Sequence, residues 1–244
     1  MERVVIIGSG LAGLSAARSL AERGVGSWLV SPQRSERAAS VLAEGGINAA
    51  LDLMGEGDSW RQHFADTMAA GLELADAQAV AGMCAAAPGL VRSLAGLGVP
   101  FHSEGGRMVQ RYFGGQKKAR TAFVGSTTGK MLVTALADAV RRYEAQGLVE
   151  RLASSELLQL AIDGGACRGA WVRDLHTGGT RLLKGPVILA AGSYAGIYGP
   201  RSTGSQTNTG DVAPSPSRRA WRWPTSSFCS TTPRPSPFPA SACS

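Results

Sequence analysis

Residues 3–13 read Arg3-Val4-Val5-Ile6-Ile7-Gly8-Ser9-Gly10-Leu11-Ala12-Gly13. The first five residues form a short β-branched apolar run, the pattern of a strand buried on both faces of a parallel sheet. Three glycines in the spacing GxGxxG follow at once. Leu11, Leu14, Ala17, Leu20 and Ala21 then recur at helical spacing as far as Gly24. Ser27–Ser31 (SWLVS) reads as a second strand. Strand, glycine turn, helix and strand thus fit within about 30 residues, the context in which GxGxxG carries meaning. Gly8 lets the chain leave the strand sharply, Gly10 removes a side chain where a pyrophosphate must approach, and Gly13 lets the helix pack closely. The free amides at the helix N-terminus then hold the phosphates. An acidic residue that would grip a ribose is missing from the end of the second strand. Ser31 stands there, with Glu36 nearby. These residues predict a dinucleotide-binding α/β domain and leave NAD and FAD both open.

Working outward, residues 65–87 are rich in Ala, Leu and Met and predict a helix. Pro88 is placed to begin a new helix running toward Gly98. Phe113-Gly114-Gly115 reads as a loop, and 129–146 as an amphipathic helix with Leu132, Leu136 and Val140 on one face. Short strands are expected at 157–162, 167–175 and 180–183, the last two joined by a turn at His176-Thr177-Gly178-Gly179. Val187–Ala190 is a further buried strand. Gly125-Ser126-Thr127-Thr128-Gly129-Lys130 is not a P-loop, having three residues between its glycines and Met131 after the lysine. His63, His102 and His176 show no ligand spacing, and each reads as a surface or hydrogen-bonded histidine.

Composition narrows the classes. The chain has 244 residues, of which 44% are hydrophobic, enough for a core. No apolar run approaches the roughly 18–20 residues of a membrane span, and the N-terminal apolar run is too short for a signal peptide. Cys84, Cys167, Cys229 and Cys243 have no CxxC spacing, which fits a reducing cytoplasm rather than a disulfide or zinc scaffold. The net charge of +7 is uneven: residues 212–244 hold four Arg, no Asp or Glu, and seven of the 12 prolines. The body before them is close to neutral, so nucleic acid is not the expected partner. The chain divides into residues 1–211, a globular domain, and 212–244, a Pro/Ser/Arg-rich tail expected to be disordered.

Several segments resemble the flavoprotein family of succinate dehydrogenase and fumarate reductase, which includes L-aspartate oxidase. Ala43–Leu51 (AEGGINAAL) is similar to its "AQGGINAAL", and Asp58-Ser59-Trp60, His63 and Asp66-Thr67 to its "DSW..H..DT". Ala87-Pro88 with Leu97–Phe101 resembles "AP…LGVPF". Arg111 to Gln116, Arg120-Thr121 and Thr128-Gly129 resemble "R.FGG…RT…TG". Val187–Gly192 with Tyr198, and Thr209-Gly210-Asp211, continue the likeness to residue 211.

The resemblance implies a Rossmann-like FAD-binding domain with a parallel sheet and a small antiparallel β insertion. Gly8, Ser9, Gly10, Leu11, Ala12 and Gly13 would lie on the pyrophosphate, and Ser31, Ser40, Gly45 and Gly46 would line the ribose and flavin. Asp211 would be a further FAD contact, and Phe113 would lie on the substrate side. Some family members bind FAD through a histidine five residues before the "AQGG" glutamine. Ala39 stands there, so the FAD should be non-covalent. The implied reaction moves a hydride between flavin N5 and a C4 dicarboxylate. L-aspartate oxidase is the alternative, and a stand-alone flavin- or nucleotide-binding module the third reading. Implied partners are the dicarboxylate and an electron carrier such as an iron–sulfur subunit, with a cytoplasmic or membrane-peripheral location and no transmembrane segment. Catalytic residues and the capping domain are expected beyond residue 211, so the chain itself should be inactive. Loss of one base after the Asp211 codon allows codons 224–234 to read D-L-E-F-L-Q-Y-H-P-T, similar to the family's next motif. A natural low-complexity tail is the other reading of 212–244.

Overall fold

The computed structural model describes residues 3–193, Gly196 and Gly210. In chain order they form β1 (Val4–Ile7), α1 (Leu11–Ala21), β2 (Ser27–Ser31) and two 3-10 turns (Ser35–Arg37 and Ala39–Leu42). Next come β3 (Ile47–Asn48), α2 (Trp60–Ala70), α3 (Ala77–Gly96), β4 (Ser103–Glu104), β5 (Arg107–Met108) and β6 (Thr121–Ala122). The remainder is α4 (Thr128–Ala145), β7 (Val149–Ala153), β8 (Ser155–Asp163), β9 (Ala166–Asp174), β10 (Thr180–Lys184) and β11 (Val187–Leu189). The central sheet is four-stranded and parallel, in the order β11-β1-β2-β7. A three-stranded antiparallel sheet, β10-β9-β8, enters between β7 and β11.

Both faces of the central sheet are covered, which explains the unbroken apolar run in β1. Ile6 and Leu29 point to one face and join Leu14 and Ala17 of α1 with Leu132, Leu136 and Val140 of α4. Val5, Ile7 and Val30 point to the other and meet Leu160, Ala170, Val172 and Leu183 of the antiparallel sheet. Successive residues of a strand face opposite ways, so one strand serves two cores.

Three expectations need correction. Residues 65–87 are not one helix. Ser59 caps α2 through Gln62 N at 3.2 Å, and Asp76 caps α3 through Ala79 N at 2.8 Å. Between the helices, Leu72 and Glu73 take left-handed backbone conformations (φ 52° and 57°) that no helix continues through. Pro88 begins no helix and lies inside α3. α3 is also long and apolar enough to cross a membrane by length and composition, unlike any run noted in the sequence. Its stripe of Val80, Cys84, Ala87, Val91 and Leu94 is buried against the rest of the protein. Strand β7 was not expected. It lies at the sheet edge, where Glu150 can accept from Trp28 Nε1 (3.1 Å) and Arg151 can reach Glu144 (2.7 Å). Charges of that kind hide the strand's apolar pattern and protect its edge.

Candidate functional site

The β1–α1 turn brings the predicted phosphate residues to the carboxyl ends of β1 and β2. Gly8 has φ +113°, and a Cβ there would stand 2.2 Å from Ala190 O, at the end of β11. A Cβ on Gly13 would stand 1.8 Å from Gly8 O. These two glycines are therefore requirements of packing. Gly10, the N-cap of α1, differs: the nearest atom to its Cβ position is Ser40 Oγ at 3.2 Å. The Leu11 amide donates to that same hydroxyl at 3.3 Å. Ser40 Oγ keeps its own proton to give, and its position at a helix N-terminus places it beside the turn's amides. This donor set fits a pyrophosphate, since amides, a hydroxyl and the positive end of a helix dipole converge where no side chain intervenes. Ser9 is buried and donates to Gln33 O at 3.3 Å, which fastens the turn to the segment after β2. Ser31 is buried at the end of β2, and its hydroxyl accepts from Gln33 N at 3.4 Å. Glu36 is drawn away to Arg141 at 2.9 Å.

The segment from Ser40 to Gly46 runs across the N-terminus of α4. Gly129 N donates to Ala43 O at 2.7 Å, and a Cβ on Gly129 would meet Ser40 O at 2.0 Å. The "TG" of the sequence motif is thus the place where this segment touches the helix. Gly46 has φ +120° and lies against Thr121 and Ala122. Gly45 faces Phe113, whose Cε1 and Cζ would be 2.8 and 2.9 Å from a Cβ there. Phe113 is 51% exposed, so its ring is a surface facing solvent over the Gly45 backbone and no part of the core. Arg111 donates to Gly45 O at 2.9 Å, and its guanidinium stacks 4.0 Å from the Phe123 ring and 5.4 Å from that of Phe113.

Other motif residues form a buried ion cluster. Arg120 is 2% exposed and binds Asp58 through Nε (3.1 Å) and Nη2 (2.9 Å), with Asp66 at 2.9 Å. Burial pushes the Asp66 carboxyl up, but Gln62 and Arg120 outweigh it and leave it below the usual range. His63 is buried beside this cluster, against the sequence expectation, and its Nδ1 has no partner among the described residues. Burial first, and then the Arg120 charge, hold it below the ordinary histidine range. Gln110, also buried, donates from Nε2 to Ala49 O and Arg120 O, both at 2.7 Å. Sequence reasoning assigned no role to Glu56, Gln110 or Arg111, because their partners lie ten to 66 positions away. Asp211, Tyr198 and Thr209, and residues 212–244, lie outside the described residues.

Residues 3–225 match the family model described as FAD binding domain. The match runs past residue 211, the last residue of the motifs quoted above. The succinate dehydrogenase flavoprotein subunit of Bacillus subtilis (strain 168) is 39% identical over 212 residues, covering 86% of this chain and 36% of that protein. The 8-methylmenaquinol:fumarate reductase flavoprotein subunit of Wolinella succinogenes is 34% identical over 220 residues, covering 88% and 35%. The solved structure of Mycobacterium smegmatis Sdh1 in complex with UQ1 superposes with a TM-score of 0.80 at 30% identity, covering 86% of this chain and 37% of that one. The chain spans little more than a third of the length of these relatives.

Proposed function

The chain belongs to the FAD binding domain family, and we propose that it is the FAD-holding N-terminal part of a fumarate reductase or succinate dehydrogenase type flavoprotein. The observation that carries this reading is the seat at the start of α1, where the Leu11 amide donates to the Ser40 hydroxyl beside Gly10, which has no side chain. Gly8 to Gly13 and Ser40 would take the pyrophosphate, and Ser31 the ribose end. Gly45 and Gly46 would line the ring, with Phe113 toward the substrate. Asp211 is proposed as a further contact on the cofactor.

When bound, the flavin supplies two-electron hydride chemistry to the carbon–carbon bond of a C4 dicarboxylate. This chain's residues bind and orient. The α1 N-terminus neutralises phosphate charge, and the half-exposed Phe113 excludes water from one side of the Gly45 backbone. The carboxylate clamp and the proton donor are proposed to lie in sequence beyond residue 211. The family relatives are subunits by name. We propose an iron–sulfur protein as the electron partner and a cytoplasmic, membrane-peripheral location for the assembled enzyme.

FAD held here is proposed to be non-covalent, because Ala39 offers no nucleophile at the position where the resemblance places a histidine. Acid precipitation of the FAD-loaded protein should leave the flavin in the supernatant, and colour retained in the washed pellet would refute it. The 244-residue chain with excess FAD should not oxidise reduced viologen with fumarate. The protein read on in the frame that restores the next family motif should do so. Aspartate-dependent peroxide formation by that longer protein would instead identify L-aspartate oxidase.

A further inference from the structure

The loop Tyr112–Ala119 carries Phe113 yet has little holding it. Gly114 and Gly115 sit in left-handed conformations (φ 64° and 78°), and nothing lies within 4 Å of either Cβ position. One residue fastens both ends of the loop. The Glu56 carboxylate accepts the Tyr112 hydroxyl through Oε1 and the Ala119 amide through Oε2 at 2.9 Å. The Glu56 carbonyl accepts Lys118 Nζ at 2.5 Å. Glu56 is itself anchored. It lies in the turn where Asp52 Oδ1 accepts the Asp58 amide at 3.0 Å, and the Asp58 carboxylate is buried on Arg120. A chain of contacts therefore leads from the buried ion cluster through Glu56 to the two residues that bracket Phe113 and the glycines.

We propose that Glu56 is the positioning residue of this site, holding Tyr112 and Ala119 so that the Phe113 ring stays seated on Gly45. The proposal rests on the reading of the Gly45–Phe113 face as the cofactor side of the domain. Arg111 alone does not fix the ring, since it stacks more closely on Phe123 than on Phe113. Loss of the Glu56 carboxylate leaves a glycine-rich loop tied, among the described residues, by Lys118 to the Glu56 carbonyl (2.5 Å), by Gln116 to Thr121 (3.0 Å) and by Lys117 to Asp66 (3.7 Å), none of which touches Tyr112. The ring then swings away from Gly45.

The test uses the 244-residue protein, with Glu56→Ala, Glu56→Gln and, as control, Glu22→Ala in the exposed pair with Arg18. Nuclear magnetic resonance reads two sites. The Ala119 amide should exchange roughly tenfold or more faster in Glu56→Ala, the effect of losing a hydrogen bond to a charged acceptor. The Gly45 α-protons should lose the ring-current shift imposed by Phe113, a signature that a merely structural role would not move. Glu56→Gln keeps one acceptor oxygen and should fall between the two, and Glu22→Ala should match wild type. Unchanged Gly45 resonances in folded Glu56→Ala would overturn the proposal, even if Ala119 exchanged faster. A separate titration with millimolar FAD tests the reading beneath it. If FAD leaves the wild-type Gly45 and Phe113 resonances unmoved, the cofactor assignment of this face fails, while the Gly45 comparison still decides what Glu56 does.

Discussion

Gly10 and Gly13 belong to one motif, yet their substitution should fail in different ways. A methyl group at Gly13 would stand 1.8 Å from Gly8 O, 2.8 Å from Gly8 C and 3.5 Å from Ile6 Cγ2. The obstacle is backbone, and Gly8 is itself fixed against Ala190. Helix α1 would have to retreat by about 1 Å or more from a sheet packed at native density. Overpacking costs about 1–3 kcal/mol, and this case belongs at or above the upper end because no side chain can yield. At about 2–4 °C per kcal/mol for a domain of this size, Gly13→Ala should lower the Tm by roughly 10 °C. Gly10 has φ −76°, which any residue adopts, and its nearest neighbour is the movable Ser40 hydroxyl at 3.2 Å. Gly10→Val should cost only about 1 kcal/mol, from the poorer N-cap and the lost Leu11–Ser40 link. It should nevertheless abolish FAD uptake, since the branched side chain fills the phosphate seat. Thermal denaturation followed by circular dichroism reads the first effect, and equilibrium dialysis against FAD the second. Gly13→Ala within about 2 °C of wild type, or Gly10→Val with wild-type FAD occupancy, would refute the assignment of roles within the motif.

Arg120→Met should cost about 3–5 kcal/mol, because Asp58, with a side chain only 2% exposed, would lose its buried counter-charge. Chemical denaturation showing a loss below 1 kcal/mol would disprove the structural role of the cluster. His63 is held neutral by burial and by Arg120, with Asp58 and Asp66 opposing. The unfolded chain therefore takes up a proton near pH 6.5 that the folded chain resists, and stability should fall as pH drops below that value. His63→Gln should flatten this fall in denaturation midpoints measured from pH 7 to pH 5, and an equal slope in the variant would exclude His63 as its source.

The β1–α1–β2 unit was legible because each of its signals is local. The apolar run, the glycine spacing and the helical period follow one another without a gap between Val4 and Ser31. Strand β7 was illegible for the opposite reason, as its charged residues answer to Trp28 and Glu144. The α2–α3 break was missed because Gly71 to Asp76 contains Leu72 and Leu74, which keep the helix-forming composition of the stretch going yet sit exposed in a turn. The site was legible in part. Ser40 lies against the turn of residues 8–13, through Gly10 and Leu11. The seating of Phe113 depends on Gly45, Glu56 and Arg111, which no sequence window spans.

Matching a motif did not by itself distinguish structural from functional residues. Asp58, Asp66 and Arg120 match family segments as well as Gly10 and Phe113 do, and so does Gly129. The physical difference lies in what each has left to bind. Arg120 is buried with its charge met by two carboxylates, and the space beside Gly129 is filled by the Ser40 and Ala43 carbonyls. Those residues are spent inside the fold. Around Gly10 a hydroxyl retains a proton to donate beside a helix N-terminus, and at Phe113 half of an aromatic ring faces outward over a glycine. Groups left with unused capacity are the ones available to a ligand. For that reason we propose the site at the Gly10–Ser40 seat and the Gly45–Phe113 face, with the ion cluster as their support.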